Sequence, residues 1–312
     1  MDERLTRIGR LLAVAEGLER EGAYNGAKLV RAALERELVR YAAAEAPSGG
    51  AGAALAVEAL LADIGEDLPP HVRDLLPGVA ANVREGSTIP LVDAPPTRVC
   101  RACGEVLLGD DGRRACPTCE SPPLAYKEMY PIWFLEPATR EELLTALEVG
   151  RRQVVAAVEG RSDEHLAIAP QPGEWSACQT LEHLLFAEGL FAERVGRLLA
   201  EDLPDLTSRA VWTETPATDG AAAATAASAS ALAARFAELR ATTLARLQGL
   251  AADDWQRAGN HPEWGRVTVL TQASYFTRHQ ASHMAQLTAA ADWAGAQPLM
   301  PLILLPVTGV TR

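Results

Sequence analysis

Two Cys-x-x-Cys pairs, Cys100/Cys103 and Cys116/Cys119, stand twelve residues apart in a chain of 312 residues. Each pair makes a tight turn presenting two thiolates, and two such turns close a tetrahedron round one metal ion. Gly104 follows the first pair, where a tight turn favours positive φ. Gly109-Asp110-Asp111-Gly112 is expected at the tip of a hairpin closing between the pairs. Four thiolates leave no open coordination position, so the expected role is structural, with zinc favoured over iron. Met1-Asp2-Glu3-Arg4 opens the chain without an apolar run behind it, so no export signal is expected. Without export, paired cysteines point to metal rather than disulfides, and the expected location is cytoplasmic.

The Cys segment is an island in a helical sequence. The chain contains 58 Ala and only six Ile, which favours helix over strand. Basic and acidic residues number 15 and 21 before residue 137, and 14 and 20 from there on, so each part carries −6. An acidic chain with no basic domain argues against nucleic acid or an anionic membrane as a partner. Leu299 to Val307 is the longest bulky apolar stretch, nine residues broken by Pro301 and Pro306. A membrane helix needs about 20.

Residues 1–85 carry four apolar-periodic segments, marked by Leu5, Ile8, Leu12, Ala15 and Leu18; Ala27, Val30, Leu34, Leu38 and Tyr41; Leu55, Leu60, Leu61 and Ile64; and Val72, Leu75, Val79 and Val83. They predict a small helical bundle. Residues 86–98 hold Pro90, Pro95 and Pro96 and read as a linker. A second helical region starts near Thr139, where Thr139-x-x-Glu142 is a capping box; Ser176-x-x-Gln179 is another, opening a long amphipathic helix. Thr207 to Gly220 reads as a loop, Ala221 to Ser230 as the Ala-rich start of a third helix, and Thr268 as the cap of a fourth.

The segment "VCRACGEVLLGDDGRRACPTCESPPLAYKEM" resembles the rubredoxin-like ribbon of rubrerythrins, which implies iron and electron transfer, and is also similar to an ordinary zinc ribbon. Rubrerythrins hold two irons with Glu-x-x-His motifs on a bundle. Residues 1–90 contain only His71 and no such motif, so no di-iron site is expected.

Only six His occur, and His279 and His283 lie four apart on one helical face with Ala273, Phe276, Leu287 and Ala290. A metal ion satisfies two stacked apolar-face histidines at once, and polar partners in a core would do the same. Spacing alone leaves both readings open. Gln280 follows His279, so the zincin pattern His-Glu-x-x-His is absent.

"PGEWSACQTLEHLLFAEGLF" resembles the second helix of the DinB-like (YfiT-like) four-helix bundle family, and "HPEWGRVTVLTQASYFTRHQASHMAQL" its last loop and fourth helix. The resemblance spans about residues 137–296. It implies a divalent metal (Zn, Ni, Mn or Fe) on His183, His279 and His283, with an open position. It also implies a small-molecule substrate, with water or a low-molecular-weight thiol as nucleophile, in a transferase, isomerase or hydrolase. The catalytic base is not identified. Relatives of the family often dimerise, and Leu299 to Leu305 is an apolar tail suited to cover a partner. A metal-bearing interaction or sensor protein is the non-enzymatic alternative.

Trp175 is expected to pack between helices, Glu182 to be a solvated charge, and Glu188 to support the metal ligands weakly if at all. Cys178 reads as a small core residue, His261 as a turn cap, and His71 and His165 as surface or loop residues. The expected architecture is all-α: a small helical domain at 1–90, a small β zinc ribbon at 91–136, and a four-helix bundle at 137–312.

Overall fold

A computed structural model describes residues 3–47, 49–87, 95–109, 112, 114–207 and 227–296. The expected hairpin tip at Asp110 and Asp111, most of the 207–220 loop, the 221–226 run and the 299–305 tail lie outside the described residues. The chain divides into two compact units, Met1–Ile89 and Pro90–Arg312. No helix among the described residues is long and apolar enough to cross a membrane.

The first unit contains α1 (Glu3–Arg20), α2 (Tyr24–Glu45), α3 (Gly49–Ile64), a short α4 (Pro70–Arg73) and α5 (Leu76–Glu85). The predicted fourth segment is thus split in two. α1 packs on α2 and α3 on α5. Within the unit these are two helix pairs with small residues in their cores. Ala15, Ala27, Ala54 and Ala80 are buried with Leu34, while the predicted stripe residues Leu5, Leu12, Leu38, Leu55, Leu60 and Ile64 stay exposed. A Cβ on Gly50 would lie 3.0 Å from the Val83 carbonyl oxygen.

The second unit begins with a three-stranded antiparallel sheet, order β2-β1-β3, formed by β1 (Thr97–Cys100), β2 (Val106–Leu108) and β3 (Tyr126–Met129). The first Cys pair forms the turn that joins β1 to β2, and β3 returns to pair with β1 after the second Cys pair.

Four helices follow: α6 (Arg140–Val158), α8 (Ala177–Ala200), α9 (Ala229–Gln248) and α10 (Val269–Ala296), with a single-turn α7 (Asp163–Leu166) after α6. Both expected capping boxes form, with Thr139 and Ser176 accepting from the backbone N–H of Glu142 and Gln179. Thr268 caps α10 by accepting from the N–H of Thr271, whose hydroxyl accepts from the N–H of Thr268 in return. The packing order round the bundle is α6-α9-α8-α10, so α6 and α8 sit on one diagonal. A hairpin missed in the sequence, β4 (Ala258–His261) with β5 (Gly265–Thr268), closes one end.

The bundle core has two apolar layers. One centres on Leu147, Phe191, Trp255 and Phe276, the other on Val154, Leu181, Phe236 and Leu287. Between them each helix gives one residue to a polar waist: Gly150, Glu188, Arg240 and Gln280. Arg240 donates to Glu188 Oε2 at 2.8 Å and to Gln280 Oε1 at 2.6 Å. The Glu188–Arg240 pair is almost wholly buried, where the guanidinium fork offsets its desolvation only through such bonds.

Candidate metal centres

The Cys cluster is built from two matching turns. In each, the N–H four residues after the first Cys donates to that Cys carbonyl: Gly104 to Cys100 at 2.8 Å and Glu120 to Cys116 at 2.9 Å. The first Cys N–H donates to the carbonyl five residues on, Glu105 and Ser121 respectively. Both fourth positions are left-handed, with φ 82° at Gly104 and 61° at Glu120. The turns bring Cys100 Sγ to 3.7 Å from Cys119 Sγ, and Cys103 Sγ to 3.7 Å from Cys116 Sγ. Tetrahedral coordination at about 2.3 Å per thiolate requires sulfur–sulfur edges of about 3.8 Å, whereas a disulfide is about 2.05 Å. The spacing therefore fits one ion among four thiolates. Ser121 hydrogen bonds hold the Cys119 thiol down to about 6, while burial and the neighbouring cysteines push Cys103 up to about 12.

The second cluster joins α8 to α10. The Ser176 cap sets the start of α8 and so places His183 in its second turn, while His279 and His283 share one face of α10. One ring nitrogen from each of the three lies within 4.8 Å of the others. His183 Nε2 and His279 Nε2 are 3.1 Å apart. Burial, and next the neighbouring His283, push His183 and His279 down to about 4. Both rings are therefore neutral at neutral pH and carry a lone pair. His283 Nδ1 lies 3.0 Å from Gln286 Oε1, which only accepts, so Nδ1 carries an N–H and Nε2 is the atom left for an ion. Three imidazoles with converging nitrogens fit a divalent cation.

Aromatic rings flank this cluster. Trp175 packs between α8 and α10: its ring is 5.2 Å from that of His183 and stacks on His283 at 6.1 Å and 5°. Tyr275, one turn before His279, stacks on that ring at 5.8 Å and 12°.

The other sequence candidates fall elsewhere. Glu188 is occupied by Arg240 in the waist. Glu182 is partly buried, and burial raises its carboxyl pKa. Cys178 is core. His261 caps its turn, with Nδ1 accepting from the N–H of Glu263 and Trp264. His71 is in α4 and His165 in α7; neither joins a cluster of metal-ligand type among the described residues. Sequence reasoning missed Arg240, Gln280 and Arg194, because arginine and glutamine at helical spacing read as surface.

Comparison with known proteins bears on the second cluster alone. Residues 146–287 match the DinB superfamily. The match covers less than half of the chain and includes His183, His279 and His283, while the four cysteines lie outside it. Among solved structures, YfiT from Bacillus subtilis is described as a probable metal-dependent hydrolase with an unusual four-helix bundle topology. It is 23% identical, covers 53% of this chain and 97% of its own, and has a TM-score of 0.44. No curated protein sequence matches this chain significantly.

Proposed function

We propose that the C-terminal bundle is a metal-dependent enzyme acting on a small molecule, with His183, His279 and His283 as the ligands of a divalent ion (Zn, Ni, Mn or Fe). The convergence of three imidazole nitrogens within 4.8 Å carries this reading. Bound there, such an ion supplies an open position and a Lewis acid able to activate water or a low-molecular-weight thiol. The reaction class is a thiol transfer, an isomerisation or a hydrolysis. The chain's own residues orient the site: Gln286 fixes the His283 tautomer, and Trp175 and Tyr275 wall it on two sides. The Cys cluster is read as a structural zinc ribbon, with rubredoxin-like iron as the alternative.

The working division is 1–90, 91–136 and 137–312, in a cytoplasmic protein that binds neither nucleic acid nor membrane and forms a homodimer. The non-enzymatic reading is a metal-bearing interaction or sensor protein.

Elemental analysis of the purified full chain tests the assignment. Two ions per chain are expected, one lost in His279→Ala and the other in Cys116→Ala. A wild-type chain holding only the Cys-bound ion overturns the enzyme reading. A red, redox-active Cys centre overturns the zinc assignment. A panel of low-molecular-weight thiols then separates thiol transfer from hydrolysis.

A further inference from the structure

Beyond the His cluster, α8 buries an arginine. Arg194 is 6% exposed, and among the described residues no carboxylate forms an ion pair with it. Its Nη2 lies 3.1 Å from His261 Nε2, and its Nη1 lies 3.5 Å from Gln272 Oε1. Its Nε has no partner, nor has the amide Nε2 of Gln272, a residue with no exposed surface.

His261 adds to the imbalance. Its Nδ1 already faces the N–H groups of Glu263 and Trp264, while its Nε2 faces Arg194. A neutral imidazole has one acceptor nitrogen, so in either tautomer one ring N–H meets another donor. The cluster thus gathers more buried donors than acceptors, together with a positive charge. The rings of Trp264 and Phe276, 5.8 and 6.0 Å from Arg194 Cζ, offset part of that charge but accept none of the free N–H groups conventionally. The nearby acid Asp205 is taken by the N–H and hydroxyl of Thr207. Buried donors in surplus call for an acceptor.

A column of rings leads from this cluster to the three histidines. His261 stacks on Trp264 at 3.9 Å and 9°, Trp264 meets Tyr275 at 4.5 Å, and Tyr275 stacks on His279. Trp264, Tyr275 and His279 are all partly exposed, so the edges of these rings form an aromatic wall between the two sites.

We propose that Arg194, Gln272 and His261 form a carboxylate-binding site that anchors a flat, anionic small molecule along the Trp264–Tyr275 wall, with its other end at the three-His cluster. The anchoring of a substrate rests on the metal-site reading above, whereas the anion site itself does not.

Titration calorimetry of the full chain with sodium benzoate, beside sodium acetate, tests it. Benzoate binds wild type and raises its Tm. Arg194→Met, checked for its helical fold by circular dichroism, weakens benzoate about tenfold or more and abolishes the Tm rise. If that variant does not fold, Gln272→Leu carries the same expectation. Acetate, without a ring, binds about tenfold more weakly than benzoate in wild type. His183→Ala retains benzoate binding whether or not it loses an ion, which separates this proposal from the metal assignment. Absence of benzoate binding, or equal affinity in Arg194→Met, overturns the site. Equal affinity for acetate and benzoate overturns the flat-molecule part.

Discussion

Gly150 on α6 and Gln280 on α10 share one volume at the waist of the bundle. A Cβ on Gly150 would lie 2.8 Å from Gln280 Cδ and closer still to its amide atoms. The missing side chain leaves room for the glutamine that accepts from Arg240. In an open helix, Gly→Ala stabilises by about 1 kcal/mol. At this position overpacking costs about 1–3 kcal/mol, and displacing Gln280 also leaves the buried Arg240 one acceptor short. Gly150→Ala is expected to lower stability by about 1–2 kcal/mol in urea denaturation. A gain in stability would show that the waist is not tightly packed.

The two Cys turns place different residues at their shared left-handed position. Gly104 adopts its left-handed φ freely, while Glu120 holds φ 61° with a side chain. Glu120→Gly is expected to stabilise the Cys module by about 1 kcal/mol, because the left-handed penalty of a non-glycine residue exceeds the entropy glycine loses. Amide exchange over 97–129 reads this locally; faster exchange in the variant contradicts it.

His261 titrates low in the folded chain, pushed down to about 4 by burial first and by Arg194 second. An unfolded histidine titrates near 6.5. Between those values the unfolded chain binds more protons, so stability falls as pH drops from about 6.5 to about 4 and this contribution is flat outside that window. His261→Gln is expected to flatten the slope by at most about 1.4 kcal/mol per pH unit relative to wild type. Denaturant midpoints at pH 4.5, 5.5 and 7 measure the difference. Parallel profiles for the two proteins would place His261 in contact with water.

Trp175 stacks on His283. Binding of Cu²⁺ or Co²⁺ at the three histidines is expected to quench its fluorescence, with saturation at one ion per cluster. The quenched component disappears in Trp175→Phe, and His283→Ala weakens the titration by at least about tenfold. Full quenching in the Trp175→Phe protein would assign the signal to another tryptophan.

Local chemistry was legible, and long-range packing was not. The boxes at Thr139/Glu142 and Ser176/Gln179 need only residues three apart, and they form as written. The His279/His283 face needs only helical spacing. His183 came from a family resemblance, since a lone histidine on a helix carries no spacing signal. The Arg240–Gln280 bond spans 40 residues and exists only once α9 and α10 are packed. The β4–β5 hairpin escaped notice because Ala258, Gly259 and Asn260 are poor strand formers. It is held from outside, by Asn260 donating to the Pro204 carbonyl and accepting from Leu206 N–H. In the first unit, periodic leucines suggested buried faces, yet alanine contacts between hairpin partners seal the helices and leave the leucines out.

His183 and His279 are 96 residues apart in the chain. An ion gripping both is a removable cross-link between α8 and α10. A permanent link round a loop of that length would withhold about 4–5 kcal/mol of disorder from the unfolded chain in the chain-entropy account. With such an ion, occupancy and foldedness would be read by the same staple, and removing it would loosen the α8–α10 pair.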